Sequence, residues 1–269
     1  MELKTGQTAV ITGAASGIGL ALAAAFATRG LNVVMADIDE TALQSAAAGL
    51  RGAGAALTVR CDVSRPEEVE QLRDAALARF GRIDILCNNA GVILPFRPLW
   101  THEATDWDWL LGINLHGVIN GLRTFLPLLV EQRSGHVLNT ASMAGVSTIA
   151  FNGPYNAAKH AVVALTETIA AEMAELGIPV GASVLCTGLV STNIRHSARH
   201  RPGAMADEGK QEDSATAPAE SAQASISPQR VADMTLAGIE ADRLHIFTNP
   251  GSAERVQARI DRLLANLPE

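Results

Sequence analysis

Aromatic residues are scarce in this chain of 269 residues, where they make up 4% of the sequence and where Tyr155 is the only tyrosine. Cysteine is scarce too, since Cys61, Cys87 and Cys186 stand apart in three apolar segments. An odd and scattered set of this kind forms neither a disulfide framework nor a cysteine metal cluster. We expect the three thiols to be small buried hydrophobic groups in a reducing cytoplasm.

Excess positive charge and long apolar runs are also missing. The formal net charge is −7 and the isoelectric point is about 5.5, which argues against a nucleic-acid-binding surface. No apolar run reaches the ~20 residues that span a bilayer, and residues 1–7 lack the basic and apolar regions of a secretory signal. We therefore expect a cytoplasmic protein with no nucleic-acid partner and no membrane partner.

Short β-branched segments alternate with helical patterns along the chain. We predict strands at 8–11, 31–36, 56–61, 83–87, 136–140, 180–185 and 245–247, and long helices that include 18–28, 106–132 and 154–176. Continuous apolar strands between helices indicate a parallel sheet that is covered on both faces. The sequence therefore predicts one α/β domain over residues 1–269, a doubly wound seven-stranded parallel sheet with helices on both faces.

Residues from 195 to about 227 break this composition, because they are rich in Ala, Ser, Glu and Pro and poor in large hydrophobic residues. We expect a mobile surface insertion, since a strand and a helix of the same sheet follow it. It opens with the basic residues Arg195, His196, Arg199, His200 and Arg201. A solvated face is the favoured interpretation, and attraction of an acidic substrate group or a cofactor phosphate is the alternative. His196 and His200 have the spacing of metal ligands but no third ligand nearby, so no metal is expected.

A glycine-rich turn, Thr12-Gly13-Ala14-Ala15-Ser16-Gly17-Ile18-Gly19, joins the first strand to the first helix. Such glycines allow a tight turn and a close approach of the backbone to a pyrophosphate, which the helix N-terminus then attracts. The position between a strand and a helix strengthens a motif that is weak by itself. We expect dinucleotide contacts at Gly13, Ser16, Gly17, Ile18 and Gly19; a tight turn without a ligand is the alternative.

The next three strand ends carry further candidates for the same ligand. Asp37 can accept hydrogen bonds from the adenosine ribose and would repel a 2′-phosphate, and neither Ala15 nor Ile38 supplies a cation. NAD is therefore expected rather than NADP. Helix capping is the alternative role for Asp37, and Asp39 suits that role better.

Two shorter motifs complete this half of the predicted site. Asp62, followed by Val63, is placed to accept from an adenine amino group, and the small residues Asn89, Ala90 and Gly91 leave room for the ribose against the backbone. A helix cap at Asp62 and a simple turn at Asn89 are alternatives that are compatible with cofactor contact.

Tyr155 stands four residues before Lys159 and thirteen after Ser142. On a helix, the phenol and the ammonium share one face. A fixed cation favours the phenolate and lowers a pKa that is ordinarily about 10. The pair is a candidate general acid and base, and a surface tyrosine above a lysine is the alternative on this spacing alone.

These motifs, in this order from residue 8 to about 193, resemble the single-domain branch of the short-chain dehydrogenase/reductases, which has a Rossmann-type fold. The resemblance implies that Tyr155 is the acid/base, that Lys159 lowers its pKa and holds the nicotinamide ribose, and that Ser142 binds the substrate oxygen. It also implies that Asn114 anchors a water in a proton path. A strand-end cap at Ser142 and a buried amide satisfied by backbone at Asn114 are the structural alternatives.

One segment departs from the family pattern. Where the family usually has Pro-Gly-x-Val-x-Thr, this chain has Thr187 in place of the proline. Loss of the fixed φ predicts a looser segment. Val190 and Thr192 match positions that hold the carboxamide, so both are expected as cofactor contacts.

The segments after the fourth, fifth and sixth strands supply an apolar set: Val92, Ile93, Leu94, Phe96, Trp100, Met143, Ile149, Phe151, Leu189 and Ile194. This lining suits a hydrophobic or aryl secondary alcohol or ketone, with ordinary core or subunit contacts as an equal alternative. Residues 107–127, 184–193 and 244–250 resemble a bacterial subgroup that oxidises benzylic alcohols in lignin-derived aryl ethers and related secondary alcohols.

The expected function is NAD-dependent hydride transfer to or from a small secondary alcohol or ketone. The resemblance implies a homodimer or homotetramer that assembles through the helices at about 106–132 and 154–176. A dehydratase or epimerase that uses the same Tyr-Lys pair is one alternative. An NAD-binding sensor or scaffold without turnover is another.

Overall fold

Seven parallel strands form a single sheet in the computed structural model, which describes residues 1–52, 54–203 and 225–268. The strands are β1 (Thr8–Thr12), β2 (Asn32–Asp37), β3 (Ala56–Arg60), β4 (Ile85–Asn88), β5 (Gly135–Thr140), β6 (Val180–Cys186) and β7 (His245–Phe247). Their order across the sheet is β3-β2-β1-β4-β5-β6-β7. The predicted seven-stranded, doubly wound fold is confirmed.

The described residues form eight α-helices, and most of them pack on the two faces of this sheet. They are α1 (Gly17–Thr28), α2 (Glu40–Ala48), α3 (Pro66–Phe80), α4 (Ala104–Leu111), α5 (Gly117–Gln132), α6 (Gly153–Glu175), α7 (Pro228–Glu240) and α8 (Ser252–Leu264). Leu72 of α3, Phe125 of α5 and Val162 of α6 lie in one apolar core. Phe26 of α1 and Leu236 of α7 lie in the core on the opposite face.

The first strand shows why the strand sequences are mainly apolar. Val10 of β1 belongs to one core, whereas its neighbours Ala9 and Ile11 belong to the other. Successive side chains of a strand point to opposite faces, so a sheet that is buried on both faces favours runs of apolar residues over an alternation of apolar and polar ones.

The strand order reverses between β1 and β4, which are neighbours in the sheet although two strands separate them in sequence. In open α/β sheets, the crevice beyond the carboxyl ends of the strands at such a reversal is where ligands bind. The glycine-rich turn after β1 and the small residues after β4 both lie at this crevice.

The predicted single helix at 106–132 is two helices joined by a π-helical turn at Gly112–His116. Asn114 lies in that turn, and its side chain is bound to backbone outside the helix. Single π turns often occur at functional sites. Sequence periodicity alone does not indicate this interruption, because the residues on both sides of it continue a helical pattern.

The segment after β6 is only partly described. Ile194–His200 forms a 3₁₀ helix, and the structure is described again from Ser225, with Pro228 opening α7. Residues 204–224, which make up most of the predicted insertion, lie outside the described residues. Across the described part of the chain, no helix is both long enough and apolar enough to cross a membrane. Cys61, Cys87 and Cys186 are free and buried, as predicted.

Candidate active site

A cavity of about 900 Å³ opens at the carboxyl ends of the strands. It runs from the glycine-rich turn and the end of β2, past the ends of β3, β4 and β5, to the segment after β6. The predicted residues that line it are Gly13, Ser16, Gly17, Ile18, Asp37, Asp62, Val63, Asn89, Ala90, Gly91, Ser142, Tyr155, Lys159, Val190 and Thr192. Gly19 and Asn114 are the predicted catalytic or cofactor-binding residues that do not line it.

The glycine-rich turn fits closely against the strand beside it. Gly13 has a φ of +66°, and a Cβ atom there would lie 2.8 Å from the Cα of Ala90. A Cβ on Gly19 would overlap the Gly13 carbonyl, so Gly19 allows α1 to pack on the turn instead of lining the cavity. Ser16 precedes α1 without capping it through its side chain. Its hydroxyl and the first amides of the helix therefore suit a phosphate group.

Thr12 and Asn89 fasten the ends of β1 and β4 together. The Thr12 hydroxyl accepts from the backbone amides of Asn89 and Ala90 at 2.9 and 3.1 Å. Asn89 Nδ2 in turn donates to the Thr12 carbonyl at 3.0 Å. These hydrogen bonds hold the floor of the cavity in place. Asn89 therefore stabilises the turn after β4 and also lines the cavity.

Asp37 lies at the end of the cavity beyond β2. Its carboxylate accepts from the backbone amides of Ala15 and Asp39, at 3.0 and 3.1 Å. Asp39 caps α2 by accepting from the Ala42 amide at 3.0 Å, as expected. Asp62 accepts from both the amide and the hydroxyl of Ser64. Its turn role therefore coexists with its place in the cavity wall.

Tyr155 and Lys159 are both buried on α6, beside the end of β5. Lys159 Nζ donates to the Thr140 carbonyl at 2.8 Å and lies 5.6 Å from the centroid of the Tyr155 ring. Ser142 accepts from the Ala144 amide at 3.1 Å and donates to the Thr187 carbonyl at 3.3 Å. The cap that was the structural alternative for Ser142 is therefore present, and Ser142 lines the same cavity as Tyr155.

Burial dominates the ionisation of this pair. It raises the pKa of Tyr155, while a hydrogen bond with Ser142 acts in the opposite direction. Burial also lowers the pKa of Lys159 to about 8. The lowered phenol pKa expected from the Tyr-x-x-x-Lys spacing is therefore wrong for the protein alone, because desolvation of the phenolate outweighs its hydrogen bond.

Asn114 is fully buried, and both ends of its amide bind Val92. Its Oδ1 accepts from the Val92 amide, and its Nδ2 donates to the Val92 carbonyl, each at 2.8 Å. The Asn114 side-chain amide is therefore paired at both ends with the Val92 backbone, which is the structural alternative given for this residue. A Cβ on Gly91 would lie 3.5 Å from Asn114 Oδ1 and 3.7 Å from Lys159 Nζ, so Asn114 lies behind the cavity wall. Its proposed role toward a water remains a prediction.

The prediction of a loose segment at Thr187 is wrong. The Thr187 carbonyl accepts from the Met143 amide at 2.8 Å. Asn249, which follows β7, accepts from the Gly188 amide at 2.8 Å and donates to the Leu189 carbonyl at 3.0 Å. These bonds replace the constraint that a proline ring would impose, and sequence reasoning missed Asn249 because it lies about 60 residues away.

The apolar end of the cavity contains seven of the ten residues proposed for it: Val92, Ile93, Phe96, Met143, Ile149, Leu189 and Ile194. Leu94 is buried elsewhere, whereas Trp100 and Phe151 are 86% and 44% exposed. Sequence reasoning did not assign Trp109 of α4 or Arg255 of α8 to this lining. In the basic run, Arg195, His196 and Arg199 are exposed, which agrees with the favoured solvated face. Arg195, Arg199, His200 and Arg201 also line the cavity.

His200 approaches the cofactor half of the cavity. Burial lowers the pKa of this imidazole, with help from Arg199, and the charges of Asp39 and Asp37 oppose the shift. The Asp37 carboxylate therefore has a basic residue near it that neither Ala15 nor Ile38 supplies. Among the described residues, no three His, Cys, Asp or Glu side chains form a group that could hold a metal ion.

The fold and this cavity define an oxidoreductase of the Rossmann type. Residues 7–203 match the model of the short chain dehydrogenase family, and the chain belongs to the short-chain dehydrogenase/reductases. It is 37% identical to a 1-deoxy-11-beta-hydroxypentalenate dehydrogenase of Streptomyces exfoliatus, over 97% of this chain and 89% of that protein. It is 33% identical to a C alpha-dehydrogenase of a Sphingobium species, over 95% and 86%.

A solved structure extends this similarity to the whole chain. It is a short-chain dehydrogenase/reductase from Burkholderia phymatum in complex with NAD, 39% identical, with a TM-score of 0.90. The superposition covers 100% of this chain and 98% of that one.

Proposed function

We propose that the protein is an NAD-dependent dehydrogenase that interconverts hydrophobic, aryl-bearing secondary alcohols and their ketones. One observation carries the proposal: Tyr155, Lys159 and Ser142 are brought together between a glycine-rich phosphate cradle and an apolar pocket, in one continuous cavity. The cradle suits a dinucleotide, and the apolar pocket suits the carbon skeleton of the alcohol.

The reaction needs one proton carrier and one hydrogen-bond donor from the protein. A bound nicotinamide supplies the acceptor or donor of the hydride. The Tyr155 phenolate takes the hydroxyl proton of the alcohol, and in the reverse direction the phenol returns it to the ketone oxygen. The Ser142 hydroxyl donates to that oxygen and stabilises its developing negative charge. Protonated Lys159 favours the phenolate and lies where it can hold the ribose.

The preference for NAD over NADP rests on Asp37. Its carboxylate lies in the cavity wall beyond β2 and would repel a 2′-phosphate. His200 is the nearby basic group, but its lowered pKa leaves it neutral at pH 7. The carboxylate charge is therefore not compensated there, which supports NAD. The Burkholderia phymatum relative, solved in complex with NAD, adds support for this choice.

The substrate class rests on the apolar lining contributed by Val92, Phe96, Met143 and Ile149. The C alpha-dehydrogenase of Sphingobium is a relative over most of the chain, which supports an aryl substrate. We also propose a homo-oligomer in the cytoplasm. The outer face of α6 supports such an assembly, because Ala157, Ala164 and Ala171 are small and exposed there and allow close helix contact.

A substrate screen tests the proposal. The purified protein is assayed for reduction of NAD, and in parallel of NADP, with panels of aryl, steroid and aliphatic secondary alcohols. We expect turnover with hydrophobic aryl alcohols and NAD, and none with Tyr155→Phe, which keeps the ring but lacks the hydroxyl. Thermal stabilisation by NAD without turnover on any panel would instead favour the sensor.

A further inference from the structure

Arg255 brings a cation into the substrate end of the cavity from the C-terminal helix. It stands on the first turns of α8 and is half-buried. It lines the same cavity as Tyr155 and Ser142, and the apolar residues Met143 and Ile149 belong to the same lining. A guanidinium among apolar side chains is unexpected unless it has a partner, because desolvating a charge is costly.

The position of the Arg255 head group is fixed by a short chain of hydrogen bonds. Its Nη2 donates to the Ser147 hydroxyl at 2.8 Å. That hydroxyl donates to the Met143 carbonyl at 3.0 Å, and Met143 directly follows Ser142. Two hydrogen bonds therefore connect the guanidinium to the turn that carries the residue facing the reacting oxygen.

Arg255 combines two features among the arginines of the cavity: it is half-buried, and it has no acidic partner in the described part of the chain. Across residues 1–52, 54–203 and 225–268, no carboxylate lies within ion-pair distance of it, whereas Arg201 is paired with Asp106. Arg195 and Arg199 are exposed. Asp108 is the carboxylate of α4 that lines the cavity, and it is exposed and forms no ion pair with Arg255.

We propose that Arg255 binds a carboxylate of the substrate, so that the substrates are hydrophobic secondary hydroxy acids and the matching keto acids. The planar, forked guanidinium group can donate two parallel hydrogen bonds to a carboxylate. In Arg255, Nη2 donates to Ser147, and the other nitrogens remain as donors. This inference rests on the proposed dehydrogenase activity and narrows its substrate class. The carboxylate lies toward α8, and the alcohol carbon lies toward Tyr155.

Matched substrate pairs test this proposal. Each pair is a secondary hydroxy acid and its methyl ester, for example 4-(1-hydroxyethyl)benzoic acid with its ester, together with an alicyclic pair and a straight-chain pair. For the wild-type protein, we expect at least one acid to be oxidised with a kcat/KM about tenfold or more above that of its ester. Arg255→Gln is expected to lower kcat/KM for that acid by about 10- to 100-fold, the range of a hydrogen-bonded charge, with the ester nearly unchanged.

Two further variants separate recognition from structure. Arg255→Lys keeps the charge without the fork and is expected to retain part of the preference for the acid. Arg259→Gln is the matched control, because Arg259 lies one turn further along α8, donates to the Val146 carbonyl at 3.3 Å and does not line the cavity. It is expected to leave the ratio of acid to ester unchanged.

The outcomes distinguish this proposal from the one it rests on. Equal loss of acid and ester turnover in Arg255→Gln would show that Arg255 has a structural role and does not bind the substrate carboxylate. That result would overturn the inference, and the proposed dehydrogenase activity would stand. A wild-type protein that prefers the esters would also overturn it. Failure to oxidise any acid, any ester or any alcohol of the wider panels would remove the proposed function itself.

Discussion

Arg201 donates from Nη1 to the Asp106 carboxylate at 2.7 Å, across 95 residues of sequence. Arg97, from the loop after β4, donates to the same carboxylate, and the Arg201 guanidinium lies 5.7 Å from the Trp109 ring centroid. Burial acts to raise the pKa of Asp106, but hydrogen bonds from Glu103 and Arg201 and the charge of Arg97 hold that pKa below its ordinary value. Asp106 therefore joins two loops of the cavity above α4.

Arg201 lines the cavity, and its hydrogen bond to Asp106 helps to hold the cavity wall in place. Removing that bond should therefore weaken substrate binding more than it slows the chemical step. We expect Arg201→Gln to raise KM for the alcohol about tenfold, equal to ~1.4 kcal/mol, with little change in kcat. Steady-state kinetics at saturating NAD measure this. Arg199→Gln is the control, since within the described residues Arg199 donates to the His196 carbonyl of its own segment and to no carboxylate. An equal rise in KM for both variants would attribute the effect to charge alone and contradict the role of the Asp106 join.

The single tyrosine makes a second prediction directly observable. Since burial raises the pKa of Tyr155, the protein without cofactor should show less tyrosinate absorbance at pH 10 than free tyrosine, which is half ionised there. Bound NAD places positive charge near the phenol, so the pKa should fall on its addition. Ultraviolet difference titration with and without NAD measures both, and Tyr155→Phe provides the blank. A titration curve that NAD does not move would contradict the acid/base role.

Much of the fold followed from local patterns, because most strand residues are apolar and several helices begin or end at recognisable residues. The predicted strand at 245–247 is observed as β7, and Pro66 stands at the start of α3, where proline is favoured. The π turn at 112–116 was not predicted. It depends on the hydrogen bond between Asn114 and Val92. Val92 lies outside the helix, so the sequence of the helix alone does not indicate this contact.

The cofactor half of the site was predictable for the same reason, since its residues follow strand ends in short motifs. The substrate half depends on long-range contacts. Trp109 and Arg255 come from helices whose orientation no motif reports, and Asn249 acts on a segment about 60 residues earlier. The sequence does show an amphipathic C-terminal helix with arginines at 255 and 259. It does not show which of the two arginines faces the cavity.

Cofactor choice gives a third prediction. Removing the negative charge in Asp37→Asn should narrow the preference for NAD over NADP, because the repulsion of the 2′-phosphate is lost. The ratio of kcat/KM for the two cofactors is expected to fall about tenfold or more. Asp39→Asn removes the same charge two residues away, where the side chain caps α2, and should change the ratio little. If Asp37→Asn leaves the ratio as it was, the residue does not select the cofactor.

His136 provides a prediction about stability that is independent of the active site. The side chain lies buried in β5, with Nε2 at 2.8 Å from the Ser183 hydroxyl. That hydroxyl donates its hydrogen to the Arg243 carbonyl at 2.7 Å, so the imidazole Nε2 carries the proton. Nδ1 is buried without a partner in the described structure. Burial first, and the N-terminal ammonium second, lower the pKa of His136 to about 4, against the opposing charge of Asp242.

The sign of the pH dependence follows from where the proton binds. Between pH 6.5 and 4, the unfolded chain binds a proton at this histidine and the folded chain does not, so stability falls as the pH falls through that window. The gap between the two pKa values corresponds to ~3 kcal/mol at its full extent. Urea unfolding at a series of pH values should give a steep loss for the wild type and a shallower one for His136→Asn. His116→Gln, at an exposed position, should retain the wild-type slope, and parallel curves for His136→Asn and the wild type would show that the buried imidazole is not responsible.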